Sequence, residues 1–484
     1  MIKKTKFNIH NQSTPVEGTT IESIFSARSD DVARIKNLKI VLANLDPRPG
    51  IASATGSSRK SGRTLHFPMG LGIMANVLHR CGLSFKSYDS YVDGTSEGFI
   101  DFIKAERPEI IMMSGFLGNY SYKFTKIIAQ KIRKVLPSVK IIMGGPMATT
   151  IPKLLVEKTE VDYVIPGEGE GTLIPLLAAI PDKKIIKTTE NVWYKNEHNE
   201  VVYTGSRPRI QNLDDCIPLY DAFPIEPYVN FVKERDRCWE ISSSRGCYAS
   251  CGFCKLTFGQ KITFQSLSSV IDHMQHIYEK YGIKKFNFVD DNFLNSRKHV
   301  RTFSELLLDH PIKFEWRFQG RADRVTPEIA ETLVKVGLYE ISFGIESFSQ
   351  TIIDSMNKTF KIGKVYDNLV PVKKILKNRV YTSFIVGAPG ENWKTVDETI
   401  QFIRKLKLPH VTCGILTAFP DTAFFDLAVE RGLIPDEEKY CLDLGPVYTK
   451  PYVNLSDLTD QELYKARDLI EEAAHEAAYI HHSF

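Results

Sequence analysis

The sequence predicts an α/β fold built from two successive strand–helix series, and three observations predict it. Short apolar runs alternate with amphipathic stretches from Leu38 to Ile165. The same alternation resumes at Trp239 and continues to Leu416. Between them, residues 181 to 236 lose that rhythm and become rich in proline and acid near Leu213–Pro227. Strands alternating with helices imply a parallel sheet covered by helices, because each crossover must pass over a sheet face.

In chain order, residues 1–36 are polar and weakly periodic and read as an N-terminal extension. The first series has strands at Lys39–Ala43, Phe85–Tyr88, Glu109–Ser114, Lys140–Met143 and Tyr163–Ile165. Helices are expected at Met69–Arg80, Gly98–Ala105, Tyr120–Val135 and Ile151–Glu157. Five such units over 37–180 suit a flavodoxin-like (Rossmann) sheet, with ligands outside the carboxyl ends of the strands. Residues 181–236 read as a linker carrying a hairpin at Asn191–Thr204. The second series, 237–447, has strands at Trp239–Ser244, Lys285–Val289, Phe314–Gln319, Tyr339–Gly344, Val380–Val386 and His410–Leu416. Helices such as Leu267–Tyr281, Pro327–Val336 and Lys394–Leu406 separate them, and 448–484 form a helical tail.

Composition excludes several classes. The chain has 484 residues, 43% hydrophobic and 25% charged, which suffices for a sizeable core. A net charge of +4 without a basic, aromatic-interleaved stripe argues against nucleic acid. No run of about 18 apolar residues predicts a membrane span, and the basic N-terminus lacks the apolar stretch of a signal peptide. The eight cysteines form no disulfide framework, so a reducing cytoplasm is expected.

Three of those cysteines, Cys247, Cys251 and Cys254, lie in Ser-Ser-Ser-Arg-Gly-Cys-Tyr-Ala-Ser-Cys-Gly-Phe-Cys-Lys with C-x3-C-x2-C spacing. Three thiolates on one short loop can hold three irons of a [4Fe–4S] cubane, which ordinarily takes four cysteines. The alternative is structural zinc with Cys238 as a fourth ligand, although zinc favours paired C-x2-C spacing. The segment closely resembles that of radical S-adenosylmethionine (SAM) enzymes. In that family the open iron chelates SAM, and one electron releases a 5′-deoxyadenosyl radical. The resemblance implies that the second series is a partial (βα)6 barrel related to the TIM barrel, with its site at the carboxyl ends of the strands. Phe253 would shield one edge of the cluster.

Each further SAM-binding candidate follows an expected barrel strand. Asp290 and Asp291 follow the second strand and could hold the SAM ammonium, or cap a helix. Arg321, in Gly-Arg-Ala-Asp, could clamp the methionine carboxylate bidentately, or form a surface ion pair with Asp323 or Glu328. Glu346, in Gly-Ile-Glu-Ser, could accept from ribose hydroxyls or contact the substrate; a carboxylate on an apolar strand is costly unless paired. Gly387, in Gly-Ala-Pro-Gly-Glu, suits adenine contact or a plain turn. Where the family shows Pro-Gly-Thr after the sixth strand, this chain reads Pro420-Asp421-Thr422.

The first series resembles cobalamin-binding domains. Ser114 follows its third strand, Gly144 and Gly145 its fourth, and Glu168 and Gly169 its fifth. Glycines admit close approach of a flat ligand. The family's Asp-x-His-x-x-Gly is replaced by Asp46-Pro47-Arg48-Pro49-Gly50, without the histidine; His66 lies later in that loop. His273 and His276 read as solvated or capping residues.

The expected cofactors are therefore a [4Fe–4S] cluster, SAM and cobalamin. The resemblance implies a cobalamin-dependent methyltransferase of the class B branch, acting on an unactivated carbon of a small molecule. A non-methylating radical enzyme that cyclises, couples, dehydrates or oxidises is the alternative, and an iron–sulfur sensor a third reading. An external electron donor such as flavodoxin or ferredoxin is implied.

Overall fold

The structure, a computed structural model, describes residues 29–47, 65–92, 95–181, 183–377, 379–408 and 410–479. The chain divides into two compact units: Met1–Tyr228 with Thr257–Phe264, and Val229–Leu256 with Gln265–Phe484. Most of the polar N-terminal extension and much of the glycine- and serine-rich loop after the first strand lie outside the described residues.

In the first unit, β1 (Ile40–Asn44), β2 (Phe85–Asp89), β3 (Ile110–Ser114), β4 (Lys140–Gly144) and β5 (Tyr163–Val164) pair in parallel in the order β2-β1-β3-β4-β5. The near-continuous apolar runs of β1, β3 and β4 are buried, as a sheet with helices on both faces requires. Thr95 caps the helix Ser96–Glu106 by accepting the Gly98 N–H, satisfying one of its orphan donors.

Two segments depart from expectation. The predicted hairpin forms β6 (Trp193–Lys195) and β7 (Val201–Tyr203), which extend the first sheet antiparallel to β5 instead of standing in a separate linker. Trp193 stacks on Tyr203 with centroids 4.9 Å apart, which gives the hairpin an apolar face to bury. The stretch after β4, expected as a glycine loop, becomes a short helix, Gly145–Thr150, with proline in its first turn, where its missing N–H costs nothing.

In the second unit, β8 (Trp239–Ile241), β9 (Lys285–Phe288), β10 (Glu315–Gly320), β11 (Leu338–Glu346), β12 (Val380–Val386) and β13 (His410–Ile415) pair in parallel in sequence order. This is the six-unit partial barrel. Alternate residues turn outward: Phe288, Trp316 and Phe318 interlock with Phe293 and Phe303, with centroids 4.8–6.0 Å apart. Their neighbours form a polar row across three strands, where Arg317 donates to Asn287 at 3.2 Å and Glu340 at 2.7 Å.

The tail helix Asp460–Tyr479 belongs to this unit. Glu471 accepts the Cys413 N–H on edge strand β13 at 2.9 Å, and Trp393 donates to Glu462 at 2.8 Å. An open barrel leaves an edge, and the helix covers it. His273 is buried, not solvated, and burial lowers its pKa to about 4. Among the described residues no helix is long and apolar enough to cross a membrane.

Candidate functional site

The cysteine loop leaves the carboxyl end of β8 and is fastened from beneath by Asp290. That carboxylate accepts from Ser243 N–H (2.7 Å), Ser243 Oγ (2.6 Å) and Ser244 Oγ (2.7 Å), and is buried. Burial raises its pKa, and the side-chain and backbone hydrogen bonds from Ser243 and Ser244 oppose the rise. With its oxygens engaged by Ser243 and Ser244, Asp290 positions the loop. Asp291, one residue on, points the other way: it is exposed and accepts the Gly246 N–H at 2.8 Å.

The thiols crowd one another. Burial raises the Cys247 pKa. Cys254 is exposed; desolvation by the atoms packed around it first, and then Cys251, Asp291 and Cys247, push its thiol up to about 12, while Lys358 opposes. Thiols in mutual repulsion are those a metal centre would deprotonate by supplying the missing positive charge. Among the described residues, no three His, Cys, Asp or Glu side chains converge on one ion, as tetrahedral zinc requires. A cubane instead asks each thiolate for a separate iron, so the donor set fits that group.

Gly252 is tightly covered: a Cβ there would lie 3.0 Å from the Phe424 ring, which would have to give way, and its carbonyl accepts the Phe424 N–H. The loop after β13 thus grips the cysteine loop. Asp421 adopts φ +63, the conformation glycine would supply, and pairs with Lys255. Aspartate thus stands where the family shows glycine, in the same left-handed backbone and paired with Lys255.

Arg321 lies against the cysteines, with Nη1 4.0 Å from Cys251 Sγ. Its guanidinium sits between the rings of Tyr248 (5.6 Å) and Phe360 (5.4 Å). Nε donates to Asp323 at 3.0 Å and Nη2 to the Lys358 carbonyl at 2.5 Å. These contacts fix the guanidinium as a positive charge with Nη1 directed at the loop.

Glu346, with φ +70, is buried at the end of β11 and receives the Lys358 ammonium at 2.5 Å. Phe253 is buried, 5.7 Å from that ammonium. Gly387 is not brought to this cluster. Its N–H donates to Glu391 at 2.6 Å, and a Cβ there would lie 3.6 Å from Leu463 of the tail helix. Sequence reading missed Lys358, and also Tyr448, whose phenol is raised by burial and by Cys254 and Glu346.

In the first unit, Ser114 and Gly144 are register partners at the carboxyl edge of β3 and β4. Gly145 has φ +83, and a Cβ there would lie 2.3 Å from Ser114 Oγ, so the edge is kept clear of side chains. Thr149, also missed, ties the glycine segments together by donating to the Gly145 carbonyl (3.0 Å) and accepting the Gly167 N–H (2.8 Å). Such a cleared edge fits a flat ligand. Glu168 accepts from the Ile210 N–H (2.9 Å) and Arg209 (3.4 Å), and Gly169 packs against Met74. Both brace the chain at this edge.

Comparison with known proteins matches residues 60–177 to the B12 binding domain and residues 241–403 to the Radical SAM superfamily. An uncharacterised methyltransferase, PH0819 of Pyrococcus horikoshii, is 29% identical over 76% of this chain and 79% of its own length. The anaerobic magnesium-protoporphyrin IX monomethyl ester cyclase of Rubrivivax gelatinosus is 23% identical over 70% of this chain and 62% of its own. The fold is shared with the radical S-adenosylmethionine methyltransferase TsrM of Kitasatospora setae, at TM-score 0.66 and 18% identity, covering 81% of this chain and 76% of that one.

Proposed function

On the premise that the chain belongs to the radical SAM enzymes with a B12-binding domain, the class B methyltransferase branch whose cofactors are a [4Fe–4S] cluster, SAM and cobalamin, we propose that it methylates an unactivated carbon of a small molecule. The observation that carries this reading is the cysteine loop with Arg321 and Lys358 held against it. The cleared β3–β4 edge of the other unit supports the cobalamin part. When bound, the cluster supplies the electron that cleaves SAM, and cobalamin the methyl group.

Cys247, Cys251 and Cys254 would hold the cluster. Asp291 offers an exposed carboxylate beside them for the SAM ammonium. Arg321 supplies positive charge for the SAM carboxylate, and Glu346 accepts from ribose hydroxyls. Ser114, Gly144 and Gly145 would face the corrin. Cytoplasmic residence and a flavodoxin or ferredoxin as electron donor belong to the same proposal, supported by a chain whose eight cysteines are all free thiols.

The test is anaerobic reconstitution with iron, sulfide and hydroxocobalamin, followed by mass spectrometry of candidate substrates. A gain of about 14 daltons, one CH2, together with 5′-deoxyadenosine release, supports methylation. The resemblance to a cyclase favours a second reading. 5′-Deoxyadenosine release with product formation and no such gain would select it.

A further inference from the structure

Five residues following the helix Gln350–Ser355 wrap the cysteine loop. The Met356 carbonyl accepts the Gly252 N–H at 2.8 Å. Asn357 Nδ2 donates to the carbonyl and Oγ of Ser250 at 2.9 and 3.0 Å. The Lys358 carbonyl accepts from Arg321 at 2.5 Å, and its ammonium reaches Glu346 Oε1 at 2.5 Å. Lys358 is 4% exposed, and the rings of Phe253 and Phe360 lie 5.7 and 5.8 Å from Nζ.

A buried ion pair is a poor device for stability, because desolvation offsets most of the attraction. The backbone is strained at the same place: Asn357, Thr359 and Glu346 take φ of 54°, 55° and 70°, a region non-glycine residues avoid. Strain concentrated on one ion pair beside the proposed cluster ligands points to a role beyond packing.

We infer that Lys358 is a positioning residue: it aims the Glu346 carboxylate and, as a fixed cation, raises the electron affinity of the cluster held by Cys247, Cys251 and Cys254. This rests on the cluster reading above. A reduced cluster carries one more negative charge, so a nearby fixed cation favours it, and net charge around a cluster is a principal control of its potential. The ring 5.7 Å from the ammonium belongs to Phe253, which stands between Cys251 and Cys254, so the positive end of the pair lies beside the cysteine loop.

The experiment is a redox titration, followed by electron paramagnetic resonance, of the full-length protein reconstituted with iron and sulfide, without SAM or substrate. Wild type, Lys358→Arg and Lys358→Met are compared at equal iron content. Lys358→Arg keeps the cation, and its reduced-to-oxidised ratio is expected to stay within about twofold of wild type at any poise. Lys358→Met is expected to lower that ratio by about tenfold, a shift of 59 mV for one electron. An iron-loaded Lys358→Met that titrates like wild type overturns the inference while leaving the cluster reading intact. Should Lys358→Met take up no iron, Glu346→Gln decides. It breaks the same pair but keeps the ammonium, so an unchanged or raised reduced fraction is expected, and a fall overturns the inference. A wild type that takes up no iron sinks the cluster reading, and this inference with it.

Discussion

Glu391 is 1% exposed and holds its own loop by accepting the Gly387 N–H, and burial raises its pKa from 4.5 to about 7. The folded state therefore keeps a proton that the unfolded chain releases near pH 4.5. Stability attributable to this group is fully present below pH 4.5, falls as pH rises, and is lost once pH passes about 7. The rise from 4.5 to about 7 corresponds to about 3 kcal/mol. Glu391→Gln mimics the protonated group in shape and removes the titration. The variant should match wild type near pH 4 and exceed it by about 3 kcal/mol at pH 8. His273 and His299, with pKa values lowered by burial to about 4, act in the opposite sense, but they are common to both proteins and cancel in the difference. Anaerobic urea denaturation at several pH values reads the difference. A wild-type-to-variant gap that does not change with pH, or that changes with the opposite sign, refutes the reasoning.

Three further outcomes are expected. Asp290→Ala strands one buried N–H and two hydroxyls, and should cost about 3 kcal/mol or more; denaturation midpoint and iron content check it. Gly145→Ala forces a side chain into φ +83 against Ser114. It should cost about 1–3 kcal/mol and weaken hydroxocobalamin uptake, followed by melting and visible absorbance. Arg321→Lys cannot reach both Asp323 and the Lys358 carbonyl, so the loop should loosen and Cys251 should react faster with a thiol reagent.

Much of this was legible because the signals are local. The apolar runs of β1, β3 and β4 announce buried parallel strands, and three thiols within eight residues announce a metal loop. Asp290 and Asp291 could not be separated by spacing alone. Neighbours at a strand end diverge, and which one meets the serines depends on how β8 and β9 pair. The hairpin reads as a linker because its burial comes from joining β5, a pairing with no local signature. Lys358 hides in the polar-looking run Met-Asn-Lys-Thr, since its partners lie 12 and 37 residues away at Glu346 and Arg321. Spacing gives no account of Asp421 where the family shows glycine; its left-handed backbone and its pairing with Lys255 appear only in the fold.

The most direct test of the account is the metal content of anaerobically reconstituted protein, with Cys247→Ala/Cys251→Ala/Cys254→Ala as control. The account predicts about four irons per chain with a reducible [4Fe–4S] signal, 5′-deoxyadenosine formed from SAM, and loss of both in the triple variant. Wild type that carries zinc and no iron, or a triple variant that still releases 5′-deoxyadenosine, would contradict it.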